Sequence, residues 1–352
     1  MEKKLYNVAV IGATGNIGSK TLDILIERKF PCANITAVAS ARSAGTTLRL
    51  LDRREIKVQQ ISQVDFNNID LAFFCAVSAV SAEYAAQIAQ KGCLVIDKTS
   101  FFRMHEDTPL VVPEINFDSI SSRKPSSGIV ACPNCVAIPL SMTLSALVRG
   151  GCRIRNVVVS TYQSVSGAGR RAVDALKSQA LADLNADYVM PEGLISPFPK
   201  KIAFNAIPQI GNISASDAYT DEEDKVMREV AKILGQIDLN ISVTCVRVPT
   251  LVGHGISVYV ELDKAASLKE LASMFRQFPS ISFGAENDYI TPVESEGRDE
   301  VFVGRLRKAS RGYAFWVIAD NLRKGAALNG VQIAEQLIAA DPSLDRFKAS
   351  KT

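Results

Sequence analysis

Residues 6–18 read YNVAVIGATGNIG and predict the fold of the first part of the chain. A mostly apolar segment ends at Ile11, and apolar residues recur at helical spacing over residues 19–29. Between them, the first glycine allows a tight turn, the second lets the backbone approach a pyrophosphate, and the third permits close helix packing. The unpaired N–H groups at the helix start suit an anion. The pattern predicts a dinucleotide site, with a purely structural turn as the alternative. The predicted cofactor contacts are Gly12, Thr14, Gly15, Asn16, Ile17 and Gly18.

Further buried strands are predicted over residues 35–39, 71–76 and 94–96, with a helix over residues 81–91. Strands that alternate with helices favour a parallel sheet covered on both faces. After about residue 130 the strands lengthen and alternate strictly, which is typical of a mixed sheet with helices on one face. The predicted fold class is α/β, with an N-terminal Rossmann-type parallel sheet and a second α+β domain built on a mixed sheet. The elements predicted for the second part are strands over residues 156–162, 241–249 and 257–262, helices over residues 169–184, 222–234 and 323–340, and a long, functional loop over residues 187–212.

Composition excludes several classes of protein. The chain has 352 residues, 40 basic and 37 acidic side chains, a net charge of +3, and 47% hydrophobic residues. These values are ordinary for a globular protein of two domains, and no dense basic block indicates a nucleic-acid partner. No long apolar run and no signal peptide is found, so we expect no membrane partner and a cytoplasmic location. Seven cysteines fit reduced thiols rather than a disulfide framework, and two histidines make a metal site improbable, so no metal is predicted.

The end of the second strand indicates which nicotinamide cofactor is bound. An acidic residue there would bind the ribose hydroxyl of NAD, but residues 38–43 read VASARS and contain no acid. Ser40, Arg42 and Ser43 could instead hold a 2′-phosphate, because the guanidinium fork matches phosphate geometry. The sequence therefore predicts NADP(H).

Two residues suggest nucleophilic catalysis. Cys135 closes the segment CPNC and precedes a predicted helix over residues 137–147, where a thiol reacts as thiolate and backbone N–H groups can stabilise an oxyanion. A zinc site, a redox pair with Cys132 and two ordinary buried thiols are the alternatives. His254, bracketed by glycines, could activate the thiol and deliver a proton, whereas His105 is predicted to be a solvated loop residue.

Taken together, these motifs resemble the aspartate-β-semialdehyde dehydrogenase family from end to end. The segments that carry the resemblance are Gly12–Gly18, Asp97–Met104, Pro133–Cys135, Ser160–Gly169, Phe204–Ile210, Glu222–Lys225, Arg247–Pro249, Gly253–His254 and Asp320–Asn329.

The resemblance implies NADPH-dependent reduction of L-aspartyl-4-phosphate to L-aspartate-4-semialdehyde, with release of phosphate, in the biosynthesis of lysine, threonine, methionine and diaminopimelate. It implies that Cys135 forms a thioester, that His254 is the acid/base and that Gln163 orients the intermediate. The other residues that it implies are Arg247 for the substrate carboxylate, Glu222 for the amino group, Arg103, Lys225 and Asn134 for the phosphate, and Ser166, Gly167 and Asn321 for the cofactor. Without the family, Glu222 and Lys225 would be read as solvated helix charges.

The resemblance also implies a homodimer formed through the second sheet, and a first domain completed by the C-terminal helix. The expected domains are residues 1–133 with 322–352 for NADP binding, and residues 134–321 for catalysis and dimerisation. Two rivals remain, an acetylglutamyl-phosphate reductase-like enzyme and a non-catalytic nucleotide-binding homologue.

Several residues depart from the family pattern. Residues 75–78, read as CAVS, replace a stretch that usually has two glycines near the cofactor. Lys98 stands where Asn is usual and could add a cation to the phosphate pocket, and Phe101 could narrow that pocket. Cys132 also stands where Asn is usual, and Gly255 replaces a Ser.

Cys132 generates a prediction of its own. Under oxidation it could close a disulfide with Cys135 and block the nucleophile reversibly. We expect dithiothreitol to restore activity after mild peroxide treatment, and the Cys132→Ala variant to lose this recovery. Equal, irreversible loss of activity in both proteins would contradict the hypothesis.

Overall fold

A computed structural model describes residues 4–122, 127–236, 239–285 and 288–349. The chain divides into two compact units, one formed by Met1–Asn134 with Ala326–Thr352 and the other by Cys135–Gly325. The first unit contains strands β1 (Tyr6–Ile11), β2 (Cys32–Ala39), β3 (Thr47–Arg49), β4 (Glu55–Gln60), β5 (Leu71–Phe74), β6 (Leu94–Asp97) and β7 (Ile129–Ala131). The second contains β8 (Ile154–Gln163), β9 (Asn240–Arg247), β10 (His254–Leu262), β11 (Ile281–Phe283), β12 (Val301–Lys308) and β13 (Tyr313–Ala319).

The helices of the described residues follow the apolar periodicity of the sequence. They are α1 (Asn16–Glu27), α2 (Ser78–Gln90), α3 (Pro113–Asn116), α4 (Asp118–Ser122), α5 (Ala137–Arg149), α6 (Arg170–Leu184), α7 (Asp221–Leu234), α8 (Leu268–Gln277), α9 (Pro292–Ser295) and α10 (Leu328–Ala340). None of them is both long enough and apolar enough to cross a membrane.

The sheet of the first unit confirms the predicted parallel architecture. Among the described residues its order is β3-β4-β2-β1-β5-β6-β7, and every pairing is parallel except the one between β3 and β4. Strands β1, β5 and β6 are almost entirely buried, because helices cover both faces of such a sheet. The switch in strand order beside β1 creates the crevice in which this fold binds ligands.

The turn between β1 and α1 has the predicted shape. Gly12 has φ +84°, which only glycine adopts readily, and its amide donates to the carbonyl of Val38 at 2.8 Å. A Cβ on Gly18 would lie 2.1 Å from the carbonyl oxygen of Gly12, so the helix can approach the turn only because that side chain is absent. Helix α1 starts at Asn16, three residues earlier than the sequence predicted, since the turn itself supplies the N-cap at Gly15.

The end of the chain packs on the first unit. Helix α10 lies against α1, where Arg28 forms a bidentate ion pair with Glu335 at 2.7 and 2.8 Å. The predicted helix over residues 323–340 is helical along its whole length, but Arg323–Ala327 forms a π-helical turn before α10 begins. The two units divide after Asn134 and after Gly325, whereas the sequence placed these boundaries after residues 133 and 321.

The second unit is built on the predicted mixed sheet, in the order β11-β12-β13-β10-β8-β9 within the described residues. β8 pairs antiparallel with β10 and parallel with β9. Val157, Val159 and Thr161 of β8 are buried, whereas Val158 and Tyr162, on the opposite face, are 50% and 41% exposed. One face of this sheet therefore covers a core, and the other leaves apolar side chains accessible in the single chain.

Candidate active site

Three polar residues that are far apart in sequence lie side by side at the ends of neighbouring strands. Gln163 is the last residue of β8, and it is paired with Arg247 at the end of β9 and with His254 at the start of β10. Residues opposite one another in a sheet point to the same face, and neighbouring strands lie about 4.8 Å apart. All three side chains are buried. The register thus forms a polar row, Arg247–Gln163–His254, in which the three predicted residues come together.

His254 is fully buried, and one of its ring nitrogens is held firmly. The backbone N–H of Ser164 donates to Nδ1 at 3.1 Å, and the Ser164 hydroxyl oxygen lies at the same distance from that atom. Nε2 makes no hydrogen bond with any described residue. Burial, together with the charge of Arg247, lowers the pKa of His254 to about 3. The imidazole is therefore neutral at physiological pH.

Arg247 is the cation of the row. Its Nη1 donates to the carbonyl of Ser164 at 2.6 Å, and its guanidinium lies 6.0 Å from the ring centre of Phe198. Burial lowers its pKa, while Glu222 and Cys135 act in the opposite direction, so both groups lie within its electrostatic reach. The backbone of Arg247 also exchanges two hydrogen bonds with Ile207. The loop over residues 187–212 thus contacts Arg247 through Phe198 and Ile207. Ile207 lies in the segment Phe204–Ile210 that carries the resemblance, whereas Phe198 was not singled out by the sequence.

Glu222 is buried beside Gln163, so its interpretation as a solvated helix charge is wrong. Its carboxylate accepts a hydrogen bond from Nε2 of Gln163 at 3.0 Å and lies 3.9 Å from Nζ of Lys225. The amide of Gln163 is oriented from the other side by Thr161, whose hydroxyl donates to Oε1 at 2.9 Å. Lys225 remains partly exposed, with 37% of its side chain accessible. A carboxylate is therefore fixed next to the row, where it could bind a cationic group.

The neighbouring Glu223 has a different role, which the structure separates clearly. Its carboxylate accepts the backbone N–H of Thr220 at 2.7 Å, which closes a capping box at the start of α7. Its other oxygen accepts the backbone N–H of Cys245 at 2.8 Å. Glu223 therefore anchors α7 to β9, and this anchoring places Glu222 beside Gln163.

Cys135 is the first residue of the second unit and lies two residues before α5. Its side chain is partly exposed. A Cβ on Gly325 would lie 3.2 Å from Cβ of Cys135, so the absence of a side chain at 325 leaves room for the thiol. Cys135 also acts on the pKa of Arg247, which puts the thiol within electrostatic reach of the polar row.

The residues of the second unit that were predicted to bind the cofactor lie around His254. Oδ1 of Asn321 accepts the backbone N–H of Gly253 at 2.9 Å, and Nδ2 donates to the hydroxyl of Ser166 at 3.0 Å. A Cβ on Gly167 would lie 3.1 Å from Nε2 of His254 and 3.3 Å from Nη1 of Arg247. Gly167 therefore packs closely against both groups, with no room for a side chain between them.

In the first unit, Arg103 is buried and held by backbone carbonyls. Its Nε donates to the carbonyl of Cys132 and its Nη2 to that of Lys98, both at 2.9 Å. Asn134 is also buried. The ammonium of Lys98 donates to Thr21 and to the carbonyl of Ala327, each at 3.0 Å, so in this structure it ties β6 to the start of α10 and adds no cation to a phosphate pocket.

The cofactor residues predicted in the first unit lie on one edge of its sheet. Thr14, Gly15, Asn16 and Ile17 are at least partly accessible, and α1 begins there without an acidic residue in its first turn. Ser40, Arg42 and Ser43 follow β2, which is the neighbour of β1, and Arg42 is exposed. Because the carboxyl ends of parallel strands share an edge, these groups suit a dinucleotide that bears a 2′-phosphate. A helix start without acids and a turn closed to side chains fit such a cofactor.

Two of the departures have structural explanations. A Cβ on Gly255 would lie 2.3 Å from the ring of Trp316, so a serine has no room there. Phe101 is 39% exposed and packs against Phe102 and His105, which is itself exposed as predicted. The structure gives no account of the replacement over residues 75–78, where Cys75 directly follows β5.

All seven cysteines lie within the described residues, and none forms a disulfide. Cys132 is fully buried, and burial raises the pKa of its thiol to about 11. Because little of this thiol is present as thiolate, formation of a disulfide between Cys132 and Cys135 is disfavoured. The disulfide stays a prediction.

Known proteins match both units. Residues 7–123 match the family model described as semialdehyde dehydrogenase, NAD binding domain, and residues 144–324 match semialdehyde dehydrogenase, dimerisation domain. Aspartate-semialdehyde dehydrogenase from Rickettsia bellii is 44% identical over 95% of this chain and 98% of its own length. The Bacillus subtilis relative of the same name is 41% identical over 94% of this chain and 97% of its own length. The solved structure of aspartate semialdehyde dehydrogenase II from Vibrio cholerae complexed with ASA has a TM-score of 0.90, with 38% identity over 96% of this chain and 99% of that one.

The two family models, one in each unit, place the chain among the semialdehyde dehydrogenases. Within that class, the identity and coverage of the relatives place the chain in the aspartate-semialdehyde dehydrogenase family.

Gly167→Ala tests whether catalysis depends on the close approach of Gly167 to the polar row. The new methyl group would lie 3.1 Å from Nε2 of His254, which is closer than ordinary van der Waals contact, so we expect kcat to fall about tenfold. The midpoint of thermal unfolding should change little, because the clash involves side chains that can shift slightly. Unchanged steady-state kinetics would show that catalysis does not depend on a glycine at this position.

Proposed function

We propose that the protein catalyses the NADPH-dependent reductive dephosphorylation of L-aspartyl-4-phosphate to L-aspartate-4-semialdehyde, in the biosynthesis of lysine, threonine, methionine and diaminopimelate. The observation that carries this proposal is the polar row Arg247–Gln163–His254 with Glu222 hydrogen-bonded to its centre. A buried guanidinium and a buried carboxylate, within electrostatic reach of one another, complement the α-carboxylate and the ammonium of a free amino acid.

The same pair of charges argues against the acetylglutamyl-phosphate rival. N-acetylation removes the positive charge of the amino group, which would leave the carboxylate of Glu222 without a cationic partner from the substrate. Arg247 would bind the α-carboxylate of aspartyl phosphate through its guanidinium. Lys225 would hold the phosphate, together with Arg103 and Asn134 of the first unit, a role that rests on the family resemblance.

Cys135 would supply the nucleophile. Its thiolate attacks the acyl carbon, the bond to the phosphate oxygen breaks, and inorganic phosphate leaves a thioester on Sγ. Gln163, oriented by Thr161, would hold the acyl group in place. His254 would act on the reacting oxygen through its Nε2 atom, and collapse of the tetrahedral species returns the thiolate and releases the aldehyde. The presence of the thiol, the histidine and both charged groups in one site supports an enzyme over a non-catalytic homologue.

The first unit would bind NADP(H), with the pyrophosphate on the turn from Gly12 to Gly18. The close fit of the turn to α1 and the accessible amides at the helix start support this assignment. Ser40, Arg42 and Ser43 would bind the 2′-phosphate. When bound, NADPH supplies the hydride that reduces the thioester. Ser166, Gly167 and Asn321 are proposed as contacts from the second unit.

The second unit would form a homodimer. Its dimerisation-domain match and the accessible apolar side chains Val158 and Tyr162 on the outer face of the sheet support this assembly. The domain roles follow, with NADP binding in the first unit and catalysis and dimerisation in the second. We also propose a cytoplasmic location, which the lack of disulfides among the seven cysteines supports.

The reverse reaction tests the function. We expect the purified protein to reduce NADP with aspartate semialdehyde only when phosphate or arsenate is present, because the thioester must be transferred to an oxyanion. Cys135→Ser should lower this rate about a thousandfold, since the alcohol is a much weaker nucleophile. Cys152→Ser is the matched control, because Cys152 contacts Met274 outside the polar row, and its activity should be unchanged. Reduction of NADP with N-acetylglutamate semialdehyde in place of aspartate semialdehyde would contradict the proposal, and so would a lack of NADP reduction with either aldehyde.

Arg42 tests the cofactor preference. If it pairs with the 2′-phosphate, Arg42→Ala should raise the KM for NADPH by about ten- to a hundredfold and leave the KM for NADH unchanged. Arg49→Ala, which removes another exposed arginine from the same unit, is the control. Equal binding of NADP and NAD to the unmodified protein would refute the preference.

A further inference from the structure

The hydrogen bonds around His254 determine which nitrogen carries its hydrogen. A backbone N–H can only donate, so the amide of Ser164, 3.1 Å from Nδ1, requires a lone pair on that nitrogen. The single hydrogen of the neutral ring must then be on Nε2. This conclusion depends on a backbone donor, whose direction is fixed by the chain, and not on the rotation of a hydroxyl.

A second backbone donor fixes the residue that holds Ser164 in place. The N–H of Gly253 points at Oδ1 of Asn321 at 2.9 Å, so this atom must be the amide oxygen and the other must be nitrogen. The same oxygen lies 3.1 Å from the hydroxyl oxygen of Ser164, and that hydroxyl is also 3.1 Å from Nδ1 of His254. Asn321 thus connects the residue before the histidine with the residue that contacts its ring.

The opposite side of the ring is available for chemistry. Nε2 is buried and has no hydrogen-bond partner among the described residues, and a Cβ on Gly167 would lie 3.1 Å from it. The charged group that acts on the pKa of His254 is Arg247 from β9. Glu222 from α7, Cys135 before α5 and Cys245 of β9 act on the pKa of Arg247. Arg247 opposes protonation of the ring, and a hydrogen on Nδ1 would collide with the amide hydrogen of Ser164.

We propose that Ser164 and Asn321 are positioning residues that hold His254 as a neutral hydrogen-bond donor, with Nε2–H directed at the oxygen of the reacting carbonyl. This inference rests on the proposed function, since it assigns a form to the histidine of that site. In this form His254 stabilises the oxyanion of the tetrahedral species on Cys135, in the manner of an oxyanion-hole donor. Asn321 thereby acts on the histidine, a role separate from the cofactor contact that the resemblance implies for it.

Nitrogen NMR of the ring tests the tautomer without any substrate. The chain has two histidines, so the His105→Gln variant, labelled with ¹⁵N-histidine, reports on His254 alone. We expect a protonated Nε2 and an unprotonated Nδ1, with no titration between about pH 5 and pH 9, because the ring is buried beside Arg247. Introducing Asn321→Ala should move both signals toward the average of two tautomers. A protonated Nδ1, or a ring that titrates near its ordinary pKa, would overturn the inference.

Kinetics test whether Asn321 acts through the histidine. Asn321→Ala and Ser164→Ala should each lower kcat, Asn321→Ala by about tenfold or more, with the KM for NADPH changed less than about threefold. In a His254→Asn background, Asn321→Ala should cause little further loss, because the group that it positions is gone. Asn156→Ala, which removes a hydrogen-bonding Asn from the other end of β8, is the matched control and should keep full activity.

The outcomes separate this inference from the proposed function. A fully additive loss in the double variant, or a large rise in the KM for NADPH, would show that Asn321 binds the cofactor or merely supports the fold. Thermal unfolding of each variant identifies the latter case, and Ser164→Ala, which retains the backbone donor, provides a second variant if Asn321→Ala does not fold. If the enzyme shows no activity with aspartate semialdehyde, the NMR experiment still decides the state of His254.

Discussion

The register of three strands is the constraint on which the candidate site depends. β8 must pair with β9 and with β10 so that Gln163 faces Arg247 on one side and His254 on the other. Because side chains alternate between faces, a slip of one residue in either pairing would move one of the three to the outer face of the sheet. The buried valines of β8 hold this register, so the same packing that forms the core also aligns the polar row.

Charge placement inside the second unit follows from the same arrangement. A buried guanidinium is stable only with partners, and Arg247 has the carbonyl of Ser164 and the nearby carboxylate of Glu222. Glu222 in turn is held by Gln163, and α7 is held in place by Glu223. Two adjacent glutamates on one helix thus differ in role, since Glu222 lies beside the polar row and Glu223 anchors the helix to β9. The sum of charges over the chain, +3, conveys nothing of this division.

Sequence patterns predicted those parts of the structure that depend on neighbouring residues. The turn from Gly12 to Gly18, the alternation of β8 and the helices could be predicted because their signals are local. The polar row could not be seen without the family, because it needs the order β9-β8-β10, which no local pattern records. The burial of Glu222 and the internal bonds of Lys98 were missed for the same reason, since side chains that look solvated in a sequence were covered by distant segments. Ser164 and Thr161 lie in the segment Ser160–Gly169 that carries the resemblance, but no role was predicted for either, because a serine or threonine in or directly after a strand is unremarkable.

The neutral ring of His254 has a consequence for the stability of the whole fold. In the folded chain its pKa is about 3, whereas in the unfolded chain it returns to its ordinary value near 6.5. Above pH 6.5 neither state binds the proton, and this residue makes its full contribution to stability. As the pH falls from 6.5 toward 3, the unfolded chain takes up a proton that the folded chain refuses, so stability decreases. Burial keeps the imidazole uncharged in the folded chain, so acid lowers the free energy of unfolding through this residue. The proton responsible is bound by His254 of the candidate active site when the chain unfolds.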